Sequence, residues 1–351
     1  MTSTASTAPK PTIRTAQPVA GSQILGFGDY RPRRVQFNEE IVEAIDSSDQ
    51  WIQERSGIKS RRVAAEDETV VFMATEAARA ALDHAGLTPA DVDQVLLASV
   101  TYPSQTPAAA PLVAKALGCG HGPAYDLAAA CAGYPYGIGV ADASIRAGAA
   151  KHTIVIGVEK FSDFRNPYDR GTAFIFGDGA GAAVLGPSDE PGVGPTIWGA
   201  DGEGGDLIAQ IPDWLEYRKA IENPDSTEDE RRWPYIGMKG PSVFRWAAFQ
   251  TGPIALAAVE AAGLTIEDID VFIPHQANTR IIDTMVKKLA LPDHVVVARE
   301  DIADMANTSA ASIPLATARL YAEGRVKSGQ LALQLGFGAG LAWAAQVIRL
   351  P

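Results

Sequence analysis

Cysteine is nearly absent: Cys119 and Cys131 are the only two in 351 residues, too few for a disulfide framework or a four-thiolate zinc site. No apolar run reaches the ~18 residues that a membrane helix needs, so no membrane span is expected. Basic charge is in deficit, with 30 Lys and Arg against 42 Asp and Glu and a net charge of -12. Binding nucleic acid needs a clustered basic face, so that class is set aside, and any acidic partner must meet a local patch. His84, His121, His152 and His294 show no metal-ligand spacing, and no metal is expected. What is present is an average globular composition, 46% hydrophobic and 21% charged, with length for one large or two ordinary domains. A cytosolic chain is the simplest reading of the cysteine count.

Residues 1–21 are rich in Thr, Ser, Ala and Pro and read as a loose leader. Beyond them, helical spacing in VVFMATEAARAALDHAG (70–86) gives way to the apolar run DVDQVLLASV (91–100), the alternation of an α/β domain. The pair returns in IALAAVEAAGLTIEDIDVFIPHQAN (254–278): Ala85-Gly86-Leu87-Thr88 matches Ala262-Gly263-Leu264-Thr265, and Asp91 and Asp93 match Asp268 and Asp270. A second echo joins FGDGAGAAVLG (176–186) to FGAGLAWAAQV (337–347), each read as a Gly-rich turn opening a strand. The two echoes divide the chain into halves of similar fold, 22–190 and 191–351, with a site expected between them. Chance similarity of helix-turn-strand units is the competing explanation. The stretch 206–240, charged at its centre but carrying Trp214, Tyr217, Trp233 and Tyr235, has no counterpart in the first half. It reads as a solvated insertion or as a flap over a ligand mouth.

Cys131 falls where a strand-like run meets a helical segment, with Pro135 in the first helical turn. The positive end of a helix dipole there would stabilise a thiolate. A buried packing thiol fits the same position; Cys119 reads as structural. His275 ends the strand DVFIP, and the repeat puts Ala98 in the equivalent slot, so the scaffold does not require histidine. The residue therefore points toward the crevice where α/β proteins bind ligands, unless it is a satisfied core histidine. Asn307, in ADMANTSAASIPLA, reads locally as a helix cap. The glycine run GDGAGA (177–182) fits a dinucleotide fingerprint only loosely, because a strand follows it where a helix is needed.

AAACAG, PHQANTRI and ANTSAAS, with SSDQWIQERSGIKSRR nearer the start, together resemble β-ketoacyl-acyl carrier protein synthase III. The resemblance runs from about residue 22 to the C-terminus. It implies the α/β thiolase fold, with duplicated halves in a five-layered αβαβα sandwich, and a homodimer. It implies an acyltransferase that condenses an acyl-CoA primer with malonyl-acyl carrier protein to begin fatty-acid synthesis in the cytoplasm. Acyl-CoA is then a substrate, and no cofactor is expected. Cys131, His275 and Asn307 look like the catalytic set, with the backbone N–H groups of Cys131 and Ala339 as oxyanion donors. The triplet Gly338-Ala339-Gly340 departs from the family in its middle residue.

The resemblance also places Trp51 and Arg170 around the CoA adenine, Arg55 at the nucleotide, and Gly240 and Asn278 along the pantetheine channel. Thr106 occupies a position that in the family often carries a bulky aromatic closing the partner subunit's acyl pocket. Arg245, Arg280, Lys287 and Lys288 are expected to form the cationic patch that docks an acidic carrier. A helix end whose cations complement its dipole is the bland reading of the last three. The rivals are a starter or acyl-transfer enzyme of polyketide metabolism and a noncatalytic acyl-binding scaffold.

Overall fold

The computed structural model of the chain describes residues 16–351, so residues 1–15 of the expected leader lie outside the described residues. The first half supplies β1 (Gly21–Tyr30), β2 (Arg34–Phe37), α1 (Asp49–Ser56), β3 (Ser60–Val63), α2 (Val70–Ala85) and β4 (Gln94–Ala98). It continues with α3 (Ala109–Leu117), β5 (Ala124–Leu127), α4 (Gly133–Arg146), β6 (Thr153–Glu159) and β7 (Gly179–Ser188). The second half supplies β8 (Ile197–Ala200), β9 (Ile208–Ile211), α5 (Trp214–Glu222), β10 (Tyr235–Met238), α6 (Gly240–Ala261) and β11 (Val271–Pro274). Then come α7 (Thr279–Leu289), β12 (Val296–Val297), α8 (Asp301–Met305), α9 (Ser312–Ala322), β13 (Leu331–Gly338) and β14 (Ala342–Arg349).

Two five-stranded sheets result, ordered β1-β7-β6-β4-β5 and β8-β14-β13-β11-β12. Strand directions match position by position: the first three strands of each order are antiparallel and the last three parallel. Alternate residues of the central strands enter different cores. Val95 and Leu97 of β4 pack with α2 and α3, whereas Leu96 faces inward with Tyr134 and Ile138 of α4 and Ile313 of α9. In the other sheet Val271 and Ile273 join that inward core, and Phe272 packs with α6 and α7. Both faces of both sheets are therefore covered, which is why their strands read as near-continuous apolar runs. The order is helix, sheet, helix, sheet, helix.

The first repeat is visible in the hydrogen bonding. Gly86 and Gly263 both follow their helices at φ 65° and 72°, the left-handed geometry that glycine adopts without a Cβ penalty. Thr88 N–H donates to Asp91, and Thr265 N–H to Asp268 in the same way. Asp93 then accepts from His152 N–H and Asp270 from Leu331 N–H, each locking the neighbouring strand. The second echo pairs the right strands, β7 and β14, but two residues out of register. Ile156 faces Ala182 and Leu335 faces Ala345, so Ala182 corresponds to Ala345 and not to Trp343 as the sequence match has it. The slip arises because Phe337 and Gly338 end β13 and do not belong to the turn after it.

A third repeat escaped the sequence reading. The turns Ala130-Cys131-Ala132 and Ser309-Ala310-Ala311 open α4 and α9 alike, with Ala130 at φ 44° and Ser309 at φ 47°. Pro135 and Pro314 are each the third residue of their helix. In each half the gap between the first strand and the first long helix holds an excursion, β2-α1-β3 in one and the hairpin β9-β10 with α5 in the other. The insertion 206–240 thus has a positional counterpart of different structure. The glycine run 177–182 opens β7, where a Cβ on Gly181 would lie 2.7 Å from Pro314; its glycines admit α9 and form no dinucleotide loop.

Candidate active site

A cavity of about 600 Å³ brings together Cys131, His275 and Asn307 with Ser309, Phe337, Gly338 and Ala339. Arg55, Gly240, Asn278 and Arg280 stand on its wall, and Ile208, Ala209, Gln210, Ile236 and Met238 close it from the insertion. The insertion is therefore a flap. Its Trp214 and Trp233 rings lie 6.3 and 6.2 Å from the Phe164 ring, and Trp233 Nε1 donates to the Asp163 carbonyl at 3.0 Å.

Cys131 sits in the single turn before α4, with its side chain against β13. A Cβ on Gly338 would lie 2.8 Å from Cys131 Sγ, so the thiol occupies space that only glycine leaves free. Burial pushes this thiol up to about 12; the neighbouring Ser309 hydroxyl acts against the rise, and the Glu159 carboxylate adds to it. The thiolate expected from the helix terminus is corrected accordingly, because desolvation disfavours the charged form more than the short approach to α4 favours it. Attack by sulfur must be accompanied by loss of its proton.

His275 follows β11 and is fully buried, its ring edge-on to Phe337 with centroids 5.4 Å apart. Burial lowers its pKa to about 3, so the ring is neutral. Nδ1 lies 2.7 Å from Ser312 Oγ, which also accepts from Gln276 N–H at 3.4 Å. With the Ser312 hydroxyl donating to Nδ1, the neutral ring carries its own hydrogen on Nε2, the tautomer that turns a donor to the cavity. Asn307 is fixed by the other half: its N–H donates to the Ile175 carbonyl at 2.8 Å and its carbonyl accepts from Gly177 N–H at 3.0 Å. Its side-chain oxygen accepts from Ser309 N–H at 2.8 Å, leaving Nδ2 as a donor. The residue caps no helix by the ordinary rule; the site holds a thiol and two neutral N–H donors.

Family models for 3-oxoacyl-[acyl-carrier-protein] synthase III match residues 125–202, and for its C-terminal part residues 259–350. A β-ketoacyl-[acyl-carrier-protein] synthase III of Streptomyces glaucescens is 50% identical over 97% of this chain and 99% of that protein. A synthase of the same name from Mycobacteroides abscessus is 51% identical over 93% and 94%. The chain belongs to the β-ketoacyl-acyl carrier protein synthase III family. Among solved structures, the priming β-ketosynthase of the R1128 polyketide pathway superposes with a TM-score of 0.91 at 44% identity, over 97% of this chain and 99% of that one. A synthase III of Aquifex aeolicus gives 0.84 at 38%, over 94% and 100%. The five layers are those of the thiolase fold.

Within this synthase III scaffold the other expected residues fall in three groups. Arg55, Gly240 and Asn278 line the cavity, but the Asn278 side chain is already engaged, donating to the Arg55 carbonyl at 2.9 Å and accepting from Arg280 N–H at 2.8 Å as the cap of α7. Trp51 and Arg170 adjoin the cavity without lining it. The Arg170 and Arg55 guanidinium carbons lie 5.1 and 5.0 Å from the Trp51 ring centroid, so both arginines lie against that ring. Arg170 also pairs with exposed Asp46 at 3.7 Å, a contact worth little in solvent.

The third group lies outside. Arg245, Arg280, Lys287 and Lys288 are exposed on α6 and α7, with Arg280 over Phe244 at 5.5 Å and Lys288 over the exposed Phe249 at 4.4 Å. Arg280 alone also reaches the cavity wall. Thr106 is exposed and does not line the cavity. Sequence reasoning missed Ser309 and Ser312, which hold Asn307 and His275. Alignment of ACAGYP with SAASIP would have singled them out.

Proposed function

We propose that this chain catalyses the family's decarboxylative condensation of an acyl-CoA primer with malonyl-acyl carrier protein, using Cys131, His275 and Asn307. The observation that carries the reading is their convergence, with a fully buried neutral imidazole, on one cavity. Cys131 Sγ attacks the primer thioester and CoA departs, leaving an acyl-cysteine. Malonyl-acyl carrier protein then loses carbon dioxide, and the enolate oxygen accepts hydrogen bonds from His275 Nε2 and Asn307 Nδ2. A neutral histidine suits this role, since it donates a hydrogen bond without a charge to desolvate. The carbanion attacks the acyl-cysteine, whose oxyanion is held by the N–H groups of Cys131 and Ala339. Collapse releases the 3-oxoacyl-carrier and Cys131 as a thiolate, which takes up a proton from water to restore the thiol.

The CoA enters past Trp51, Arg55 and Arg170, beside Gly240 and Asn278, and the carrier docks on Arg245, Arg280, Lys287 and Lys288. The enzyme works in the cytoplasm as a homodimer without a bound cofactor, and Thr106 faces the acyl chain held by a second copy. No helix among the described residues is long and apolar enough to cross a membrane. The likeness to the R1128 priming ketosynthase supports a second reading, in which the same chemistry starts a polyketide. Intact-mass spectra after incubation with acyl-CoA thioesters test the first step: the acyl mass appears on the Cys131 peptide and is absent in Cys131→Ala. Labelling that survives that substitution rejects the nucleophile. Transfer to carrier proteins of the two pathways then separates the readings.

A further inference from the structure

Condensation as described leaves the Cys131 proton without an acceptor. His275 is a poor base at neutral pH, with its Nδ1 taken by Ser312. A buried carboxyl that acts on Cys131 is so far unused. Glu159, the last residue of β6, is wholly enclosed. Its Oε2 accepts from the Thr101 hydroxyl at 2.6 Å, Val100 N–H at 3.1 Å and the Ser99 hydroxyl at 3.2 Å. Its Oε1 has no aligned partner, and neither has the buried Ser309 Oγ. Ser309 lines the cavity beside Cys131, and its turn packs against both β6 and the Cys131 turn; its hydroxyl influences both Glu159 and Cys131 and is hydrogen-bonded to neither. Such orphaned polar atoms are costly in an enclosed site and call for a use.

We propose that Glu159, acting through the Ser309 hydroxyl, takes the proton of Cys131 as the thiol attacks the primer and returns it to the departing CoA sulfur. Ser309 passes its own hydrogen to Glu159 Oε1 and receives that of Cys131, while the sulfur–acyl bond forms and the acyl–CoA bond breaks. Departure of CoA reverses the two transfers, so no proton is gained or lost overall. Burial, against the pull of the Thr101 and Val100 hydrogen bonds, holds this carboxyl up to about 7, where a group can both accept and release a proton. Cys131 faces it and feels its charge. Lys160, next in the chain, turns its ammonium to the Ala65 carbonyl at 3.0 Å and to Asp163 at 3.8 Å.

The inference rests on the acyl-CoA reading, and two measurements keep them apart. Single-turnover acylation of Cys131 is followed from pH 5 to 9, as is its alkylation by iodoacetamide, which needs no acyl-CoA. In the wild type both rates climb through about pH 7. Glu159→Gln keeps the acceptor for Thr101 and Val100 but is expected to slow acylation about 10²-fold and to remove the inflection from both profiles. Ser309→Ala should do the same, and the double substitution no more. Alanine suits that backbone, since Ala130 holds the equivalent φ of 44°, so this variant decides the matter if Glu159→Gln does not fold. Thr101→Val, which disturbs the loop and spares Oε1, should keep the inflection. Unchanged alkylation profiles in Glu159→Gln and Ser309→Ala, or equal loss of the inflection in Thr101→Val, overturn the proposal. A wild type that no acyl-CoA labels refutes the function alone, while the alkylation profile still judges the relay.

Discussion

The two halves share strand order, capping boxes and the turn that opens the inner helix, yet they contribute unlike chemistry. At the turn before α4 the first half places Cys131; at the corresponding turn before α9 the second places buried Ala310, with Asn307 and Ser309 just ahead of it. After β4 comes Ser99 with Ala98 in the slot of His275, so the imidazole too has no partner in the first half. The excursions differ as well, one carrying Trp51 and Arg55 and the other forming the flap. A duplicated scaffold thus supplies two equivalent places for side chains, and specialisation of each half puts a buried thiol on one side and hydrogen-bond donors on the other.

If labour is divided in this way, the two sides can be damaged separately. His275→Ala and Asn307→Ala should each cut malonyl decarboxylation about 10²–10³-fold while Cys131 still takes an acyl group. Equal loss in both half-reactions, read by carbon dioxide release and by intact mass, would erase the distinction. A smaller effect appears in stability. His275 is held at about 3 in the fold, below its unfolded value near 6.5. Its contribution is present above pH 6.5 and is lost as pH falls toward 3, roughly 1.4 kcal/mol per unit. Urea unfolding at pH 6.5 and 5.5 should therefore show a loss of about 1 kcal/mol in the wild type relative to His275→Asn. The paired design matters because Glu159, raised to about 7, gives a slope of opposite sign above pH 4.5.

Charge reversal on the second half, Arg280→Glu with Lys287→Glu, should raise the Michaelis constant for malonyl-acyl carrier protein severalfold, more at low salt than at high. Acylation by acyl-CoA, measured with Lys287→Glu alone because Arg280 also reaches the cavity wall, should change little. The least effect belongs to Ala310→Cys. Ala310 corresponds to Cys131 but is sealed from the cavity at 1% exposure, so iodoacetamide should modify Cys131 and spare the new thiol; modification of both would show that position alone confers reactivity.

The halves were legible because their markers are local. Gly86 and Gly263 need left-handed backbone, and Thr88-Asp91 and Thr265-Asp268 close capping boxes within a few residues. The slip in the second echo arose because short motifs do not disclose that β13 runs on to Gly338. The raised thiol at Cys131 was illegible for a different reason: a helix terminus can be read from sequence, whereas burial against β13 depends on distant packing. Ser309 and Ser312 carry no local signal among their alanines, because the Ser309 N–H meets Asn307 and the Ser312 hydroxyl meets His275 only in the folded chain. Thr106 lies on the surface of a single chain, so its neighbours belong to whatever covers that surface.

The attachment of Asn307 to the strip Ile175–Gly177 has a dynamic consequence. Its N–H and that of Gly177 bridge the halves across the cavity wall. Amides beside a ligand opening normally exchange early with heavy water, because small fluctuations expose them. These two can exchange only when the halves part, so they should stay protonated as long as the central strands do. That part of the cavity wall would then open only with global unfolding, while the flap hairpin, held by a ladder of four residue pairs, exchanges earlier.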